Sequence, residues 1–243
     1  MLLHEGPSTP PSDPFSPIRL CNNCYTVGKP DPALSPEDML REFGQVQSEW
    51  EASSPCQELR QILQTVDIPP VKKIVAFACS TMDWGEEPSS ASRLQHCLVL
   101  TLKDILSALN GGKEVPGFAQ DPIYVDADKQ TLQHHGVTVL DDPRGFLEVD
   151  DTSAVFSANP DVPIRDIVLE LARPPIMVWN EMKEGPQHGT NRDGYSTWCS
   201  ADPITPRVRA ALEQQYTKIE LPQTSGREFH GLAIFVRKPA VES

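Results

Sequence analysis

The chain has no long hydrophobic run and little positive charge. None of its segments approaches the roughly 18 uncharged apolar residues that a membrane-spanning helix needs, so we expect no membrane partner. Lys and Arg number 21 against 34 Asp and Glu, which gives a formal charge of -13. Binding along a nucleic-acid backbone depends on cations that neutralise phosphates, so the bulk charge argues against it and leaves only local basic patches.

A secretory signal is also missing, because the first residues carry neither a basic segment nor an apolar one. We therefore predict a cytoplasmic protein whose six cysteines are thiols. Cys21 and Cys24 have the spacing of a zinc knuckle, but no second pair follows at a useful distance. The sequence thus predicts no bound metal, and it does not indicate the oligomeric state.

Proline is abundant, and its distribution indicates how the chain is divided. Eight of the 24 prolines precede residue 37, so residues 1–34 are predicted to form a flexible arm without regular structure. Ser35 then begins a helix, since a proline and two acids follow it directly. This helix and a second one form a predicted flank or lid over residues 35–70, and residues 71–243 form the main domain.

Strand and helix patterns alternate from residue 71 onward, which is typical of a parallel sheet covered by helices. The predicted strands are 74–79, 123–125, 137–140, 154–157, 175–179 and 232–236, and the predicted helices are 91–109, 129–134, 163–172 and 206–216. We therefore predict an α/β fold: a Rossmann-like doubly wound, mostly parallel sheet with an N-terminal helical flank. Ligands of such sheets bind at the carboxyl ends of the strands, so residues that end strands are the functional candidates.

Ser80, Asp83 and Glu86 follow the first predicted strand, in the loop that opens a helix. Dinucleotide-binding folds place a phosphate-binding loop here, but the glycine fingerprint is absent and two acids are present, so NAD binding is disfavoured. A hydroxyl or a thiol at this place could instead accept an acyl group while helix N–H groups stabilise an oxyanion. Ser80 could equally be a turn residue, and the neighbouring Cys79 a buried apolar residue.

Polar residues also follow the third and fifth predicted strands. Asp141 and Asp142 could bind a cation, either a metal ion or a guanidinium, or could simply form a turn before a proline. Trp179, Asn180 and Glu181 end the fifth strand, where the last two could orient a polar substrate or could terminate the sheet.

Residues 71–182 resemble a known family, the fungal branch of the sensitivity-to-red-light-reduced-like domain proteins. The resemblance is carried by KKIVAFACSTM, by DDPRGFLEVDD and by VFSANPDVPIRDI before a strand ending in WN. Within that branch, the chain looks like the arginine-containing cyclodipeptide synthases in length and layout. The resemblance implies an enzyme of secondary metabolism that takes arginine and a second amino acid from arginyl-tRNA and another aminoacyl-tRNA, and joins them into a diketopiperazine.

That group is associated with an acidic DDxxE motif, and the match in this chain is partial. Asp141 and Asp142 are followed by Gly145 where the glutamate would stand. An arginyl substrate still needs carboxylates opposite its guanidinium fork. It is expected to dock against Asp141 and Asp142, or else against Asp83 and Glu86.

The predicted reaction is a two-stage acyl transfer. The arginyl group either passes to a serine hydroxyl or stays on its tRNA, the amine of the second aminoacyl group attacks it, and a second, intramolecular amide bond closes the ring. The ester carries the activation, so no cofactor is expected. The predicted catalytic residues are Ser80, Asp141 and Asp142, and the predicted substrate-binding residues are Asp83, Glu86, Trp179, Asn180 and Glu181.

Two other functions stay open. The chain could be a non-catalytic regulatory protein, as plant and yeast members of the broader family suggest, or a transferase that depends on a nucleotide or a methyl donor. The acidic charge is the main objection to a tRNA substrate. It would be met if Lys72, Lys73 and the basic C-terminal residues gathered on one face.

Overall fold

The computed structural model describes residues 34–83, 86–181, 201–226, 228–229 and 231–239, with side chains from residue 91 in the second range. Its elements in chain order are α1 (Pro36–Ala52), α2 (Ser54–Thr65), β1 (Lys73–Phe77), α3 (Glu86–Leu109), β2 (Gly117–Gln120), α4 (Asp126–His134), β3 (Val137–Val139), α5 (Arg144–Glu148), β4 (Ser153–Ser157), α6 (Ile164–Leu171), β5 (Ile176–Asn180), α7 (Pro206–Gln215), β6 (Tyr216–Glu220) and β7 (Leu232–Arg237). The predicted α/β class is confirmed.

The seven strands form one sheet in the order β3-β2-β1-β4-β5-β7-β6. Strands β1 to β5 are parallel, whereas β7 runs antiparallel to both β5 and β6. The chain moves outward from β1 through β2 to β3, and then returns to the other side of β1 with β4. This reversal makes the carboxyl ends of β1 and β4 a topological switch point, where open α/β sheets bind their ligands.

The central strands are apolar on both faces because helices cover both sides of the sheet. In β1, Ile74 and Ala76 pack in the core beneath α1 to α4, whereas Val75 and Phe77 pack in the core beneath α5, α6 and α7. All four side chains are buried, so the strand appears in the sequence as a continuous apolar run without alternation.

The two N-terminal helices pack into the same core as the sheet. Ser35 caps α1 by accepting a hydrogen bond from the N–H of Asp38, and a proline occupies the first turn. The indole of Trp50 donates to Thr101 Oγ1 of α3 at 2.8 Å, and the ring of Phe43 packs edge to face against His135, directly after α4. Residues 1–33 of the predicted arm lie outside the described residues.

The predicted strand at 123–125 is wrong, because β2 lies earlier, at Gly117–Gln120. A glycine and a glutamine made this segment look like a loop. Gly117 is there for a close approach: a Cβ on it would lie 3.1 Å from Val137 Cγ2. The apolar character of residues 123–125 has another cause, since the buried Tyr124 and its neighbour Val125 pack onto the core just before α4.

The sequence did not predict β6, and it extended the preceding helix to residue 216. In β6, Thr217, Lys218 and Glu220 are exposed, as expected of an edge strand whose polar side chains prevent further pairing. The short α5 was also missed, because five residues are too few to show helical periodicity. None of the helices in the described ranges is long and apolar enough to span a membrane.

Candidate functional site

Three residues with a strained backbone mark the switch point. Ala78 and Ser80 follow β1 with φ of 54° and 62°, and Asn159 follows β4 with φ of 47°. Within the described ranges, these are the non-glycine residues with positive φ. Such conformations cost free energy for residues with a Cβ and cluster at functional sites. Their position at the ends of β1 and β4 therefore supports the placement of the candidate site at this edge.

The loop after β1 is held in this conformation by two neighbouring elements. The N–H of Ser80 donates to Asp121 Oδ2 at 2.8 Å, immediately after β2. From α3, the hydroxyl of Ser92 donates to the carbonyls of Cys79 at 2.7 Å and Ser80 at 3.0 Å. The loop thus adopts a turn that glycine usually makes, although it contains no glycine between β1 and the last residue described before α3.

Asp121 is the functional candidate that the sequence analysis missed. Its other oxygen, Oδ1, accepts from the N–H of Ile123 at 3.1 Å. Burial raises the pKa of Asp121, two backbone N–H donors oppose this, and the negative charge of Asp161 after β4 raises it further. A carboxyl with a raised pKa beside Ser80 suits a general base. An aspartate that directly follows a strand is a recognisable candidate. Asp121 was not recognised because the sequence analysis predicted the second strand at 123–125, after this residue.

The ends of β4 and β5 are joined by a reciprocal pair of hydrogen bonds. Asn180 Oδ1 accepts from the N–H of Asn159, and Asn180 Nδ2 donates to Asn159 Oδ1, both at 2.8 Å. Arg165 of α6 donates to the carbonyl of Asn180 at 3.1 Å and forms a buried ion pair with Asp202 at 2.6 Å. Asn180 therefore lies at the candidate site and fixes the strained residue of β4.

The other two residues predicted at the end of β5 have different surroundings. Trp179 is 1% exposed and packs against Phe235, and its indole N–H has no hydrogen-bond partner within the described ranges. Glu181 accepts from Lys218 Nζ at 2.6 Å. The hydrogen bonds that Lys218 donates to Glu181 and Glu220 raise its pKa. Trp179 is thus a core residue in this structure, and Glu181 belongs to an ion-pair network with Lys218 and Glu220 of the edge strand β6.

Asp141 and Asp142 lie at the exposed end of β3, as the sequence predicted. Asp142 is held in place: Gln120, the last residue of β2, donates from Nε2 to its Oδ1 at 2.8 Å. The Oε1 atom of the same glutamine accepts from the N–H of Gly145 at 2.6 Å. The buried glutamine therefore connects the acidic pair to the first turn of α5.

Gly145 explains the departure from the DDxxE motif. A Cβ at this position would lie 2.7 Å from Gln120 Oε1 and 2.9 Å from Phe77 Cε1, so a glutamate does not fit without rearrangement. The next acid along the chain, Glu148, lies 3.5 Å from Lys73 Nζ at the start of β1. It therefore pairs at the opposite edge of the sheet and does not replace the missing glutamate.

Asp83 belongs to the loop that precedes α3, but it does not present an exposed carboxylate. It is 3% exposed, and its Oδ2 accepts from the N–H of Leu34 at 3.1 Å. The side chain of Glu86 lies outside the described residues. Of the two acidic pairs predicted to receive a guanidinium, the exposed pair at the end of β3 is therefore the better supported.

A buried polar cluster lies beneath the loop after β1. His96 Nδ1 is 2.7 Å from the carbonyl of Ser92, and Nε2 is 2.8 Å from the hydroxyl of Tyr124. Because a carbonyl only accepts, Nδ1 carries the proton and Nε2 accepts from the tyrosine. Burial lowers the pKa of His96 to about 4 and raises that of the Cys79 thiol. Both groups are neutral near pH 7, so the cluster is structural and Cys79 is not an activated nucleophile.

Four of the basic residues lie at the other end of the sheet. Lys72 precedes β1 and Lys73 begins it, and Arg237 ends the antiparallel β7 with Lys238 directly after it, so all four lie at the amino ends of the parallel strands. Several already have partners: Arg237 donates to the carbonyl of Arg173, and Lys238 to that of Glu213 at 2.9 Å. No group of three or more metal-ligating side chains occurs in the described ranges.

These features define an α/β domain whose candidate site lies at the switch point of its sheet. The model of the SRR1 domain matches residues 57–236, from within α2 to the end of β7, and the chain therefore belongs to the SRR1 domain family. Among solved structures, it is similar to the crystal structure of Thermoplasma acidophilum 1320, with a TM-score of 0.37 and 11% identity over 82% of this chain and 98% of that one. No curated protein matches the chain.

Proposed function

We propose that the chain is an arginine-using cyclodipeptide synthase, which joins arginine and a second amino acid from aminoacyl-tRNAs into a diketopiperazine. The observation that carries the proposal is the exposed Asp142 carboxylate, which Gln120 holds at the end of β3, two strands away from the strained Ser80. A neutral donor orients the carboxylate without pairing it with a cation of the protein itself, as a receptor for a guanidinium requires.

The spacing of these groups suits an arginyl substrate. The ends of β3 and β1 are two strand spacings apart, roughly 10 Å, which is comparable with the length of an extended arginine residue. A guanidinium on Asp141 and Asp142 would then bring the acyl carbon close to the loop that contains Ser80. Whether the arginyl group passes to this hydroxyl or stays on its tRNA, the ester bond supplies the activation.

Asp121 is the proposed general base. The attacking amine must be neutral, and a carboxylate with a raised pKa accepts a proton from an ammonium group more readily than an ordinary one. The amine then forms the new C–N bond, the C–O bond of the ester breaks, and the leaving hydroxyl takes a proton. The second amide forms in the same way within one molecule, which removes the entropic cost of bringing the groups together.

The charge distribution supports an arginine substrate but gives no separate support for the use of aminoacyl-tRNA. The acidic carboxyl edge favours a cationic substrate such as arginine. Four basic residues, Lys72, Lys73, Arg237 and Lys238, lie at the opposite edge and not beside the candidate site, and two of them donate to backbone carbonyls there. The use of aminoacyl-tRNA therefore rests on the family resemblance.

The test is to express the full chain in a bacterial host and to search the medium by mass spectrometry for arginine-containing diketopiperazines. We expect such a product from the unaltered chain and a loss of at least tenfold in Asp142→Asn, as for removal of a charged hydrogen-bond partner. Asp67→Asn is the matched control, because Asp67 is exposed and lies before β1, at the other edge. No product from folded protein, or equal yields from both variants, would contradict the proposal.

A transferase that uses a methyl donor or a nucleotide is the second candidate. It is favoured by the left-handed turn at Ala78 and Ser80, with Asp121 at the end of β2, because dinucleotide-binding sheets place a tight turn and a ribose-binding acid at these positions. The acidic edge favours a sulfonium over a triphosphate. Calorimetry with S-adenosylmethionine, ATP and NAD tests this candidate, and saturable binding that Asp121→Asn abolishes would support it. If the folded chain makes no cyclodipeptide and binds none of these molecules, the results would favour the regulatory function.

A further inference from the structure

Gln120 is a buried polar residue at the carboxyl edge, with 5% of its surface exposed, and it joins two separate elements. The orientation of its amide is determined by its partners. A backbone N–H only donates, so the atom facing Gly145 is Oε1, and Nε2 therefore faces Asp142. Both amide ends are thus used in contacts that lie 25 and 22 residues away along the chain.

The sheet and α5 hold this glutamine firmly. Gln120 and Phe77 are register partners on neighbouring strands, so their side chains face the same side of the sheet. The ring of Phe77 stacks on Phe146 of α5 at 4.7 Å, and Gly145 allows the helix to approach both side chains closely. The amide has little freedom to turn away from Asp142.

The contact uses one oxygen of the exposed Asp142 carboxylate and leaves the other without a hydrogen bond from the described part of the chain. Oδ1 accepts from the glutamine, and Oδ2 accepts no hydrogen bond from any residue in the described ranges. Asp141 is exposed beside it. A planar guanidinium has several N–H donors in a fixed fork and gains most from an acceptor whose orientation is already set.

We propose that Gln120 is a positioning residue, which orients the Asp142 carboxylate to receive the guanidinium of the arginyl substrate. The identity of this substrate rests on the proposed function. The alternative is that Gln120 only anchors α5 to the sheet. In that case its removal lowers stability without acting through Asp142.

The experiment is a double-mutant cycle on the binding of L-arginine methyl ester, measured by calorimetry. We expect Gln120→Met, which keeps the length of the side chain but loses both hydrogen bonds, to weaken binding by about 5- to 20-fold. Asp142→Asn should weaken it at least as much. In the double variant, Gln120→Met should add less than about twofold, because residues that act through one another are not additive.

A second variant and a control keep the result interpretable. Gln120→Asn retains an amide but is one methylene too short to span both partners, so it should weaken binding as Gln120→Met does. Gln133→Met makes the same chemical change at an exposed position of α4 and should leave binding unchanged. Thermal unfolding of each variant shows whether binding is measured on folded protein.

The outcomes separate this inference from the proposed function. If the unaltered chain binds the ester and Asp142→Asn weakens binding, but both Gln120 variants bind normally or their effect adds fully to that of Asp142→Asn, Gln120 does not act through Asp142. If the unaltered chain neither binds the ester nor makes a cyclodipeptide, the proposed function fails, and the role of Gln120 in it fails as well.

Discussion

The two edges of the sheet use charge in opposite ways. At the carboxyl edge, Asp142 is exposed and held by a neutral amide, and the loops carry strained residues. At the amino edge, Arg237 and Lys238 donate to backbone carbonyls and Lys73 pairs with Asp150 at 3.0 Å. Charge at the amino edge therefore stabilises the fold, whereas at the carboxyl edge the Asp142 carboxylate is held by a neutral amide and by no ion pair within the described ranges.

The antiparallel β7 is the reason for this separation. Because it runs against β5, its last residues, which are basic, lie beside the start of β5 and not beside its end. A parallel last strand would have carried the same residues to the candidate site. The direction of one strand thus decides which edge of the sheet becomes acidic.

The largest expected effect concerns a buried ion pair at the carboxyl edge. Arg165→Met leaves Asp202 buried without its partner and should lower the free energy of unfolding by about 3–5 kcal/mol. Arg209→Met removes an exposed arginine of α7, whose nearest acid is 3.8 Å away, and should cost less than about 1 kcal/mol. Urea unfolding of both variants checks the difference, and equal losses would show that the pair does not stabilise this edge.

A smaller effect is expected from added volume at Gly145. Gly145→Ala places a Cβ against Gln120 and Phe77 and should destabilise the chain by about 1–3 kcal/mol, with a loss of arginine ester binding. Gly44→Ala is the matched control, since a Cβ there meets nothing within 4 Å in α1. It should instead stabilise the chain by about 0.5–1 kcal/mol. Unfolding midpoints measure both, and a neutral Gly145→Ala would contradict the close packing.

The smallest expected effect is a difference in how two aspartates, Asp150 and Asp121, make the free energy of unfolding depend on pH. Burial opposes ionisation of Asp150, but hydrogen bonds from Thr152 and Lys73 bring its pKa to about 2. The contribution of Asp150 to the free energy of unfolding is present above the ordinary aspartate pKa and is lost as the pH falls towards 2. Because the Asp150 side chain is half-exposed, we expect this contribution to be about 1 kcal/mol or less.

Asp121 should show the opposite sign, because burial raises its pKa. The folded state then binds the proton more tightly than the unfolded state, so stability relative to Asp121→Asn should fall as the pH rises through the raised pKa. Urea unfolding of Asp121→Asn and Asp150→Asn between pH 3 and pH 7 compares the two slopes. Slopes of the same sign would contradict the contrast between the edges.

The fold class could be predicted from the sequence because the central strands are apolar on both faces. Strands β1, β3, β4, β5 and β7 were all found within two residues of their ends. Strand β2 was missed because Gly117 and Gln120 serve packing and a hydrogen bond, and neither role produces an apolar run. The edge strand β6 was missed because three of its five side chains are exposed and polar, so it has no apolar run.

The candidate site was predicted less completely than the fold. Ser80 and Asp142 could be selected because they follow recognisable strands. Asp121 could not, since its selection depended on the correct position of β2. The strained turn at Ala78 could not be predicted either, because such a turn is recognised in a sequence by a glycine and this loop has alanine there. Contacts such as that between Gln120 and Asp142 depend on the sheet order and have no local signal.

Gln120, Phe77 and Gly145 occupy one small volume between β1, β2 and α5. A change at one of these positions therefore limits what the other two can be during evolution. We expect relatives that carry a side chain at position 145, including a glutamate, to have a smaller residue at position 120 or 77. The acidic motif and the glutamine would then be alternative solutions for the same space, which are inherited as sets and not exchanged one residue at a time.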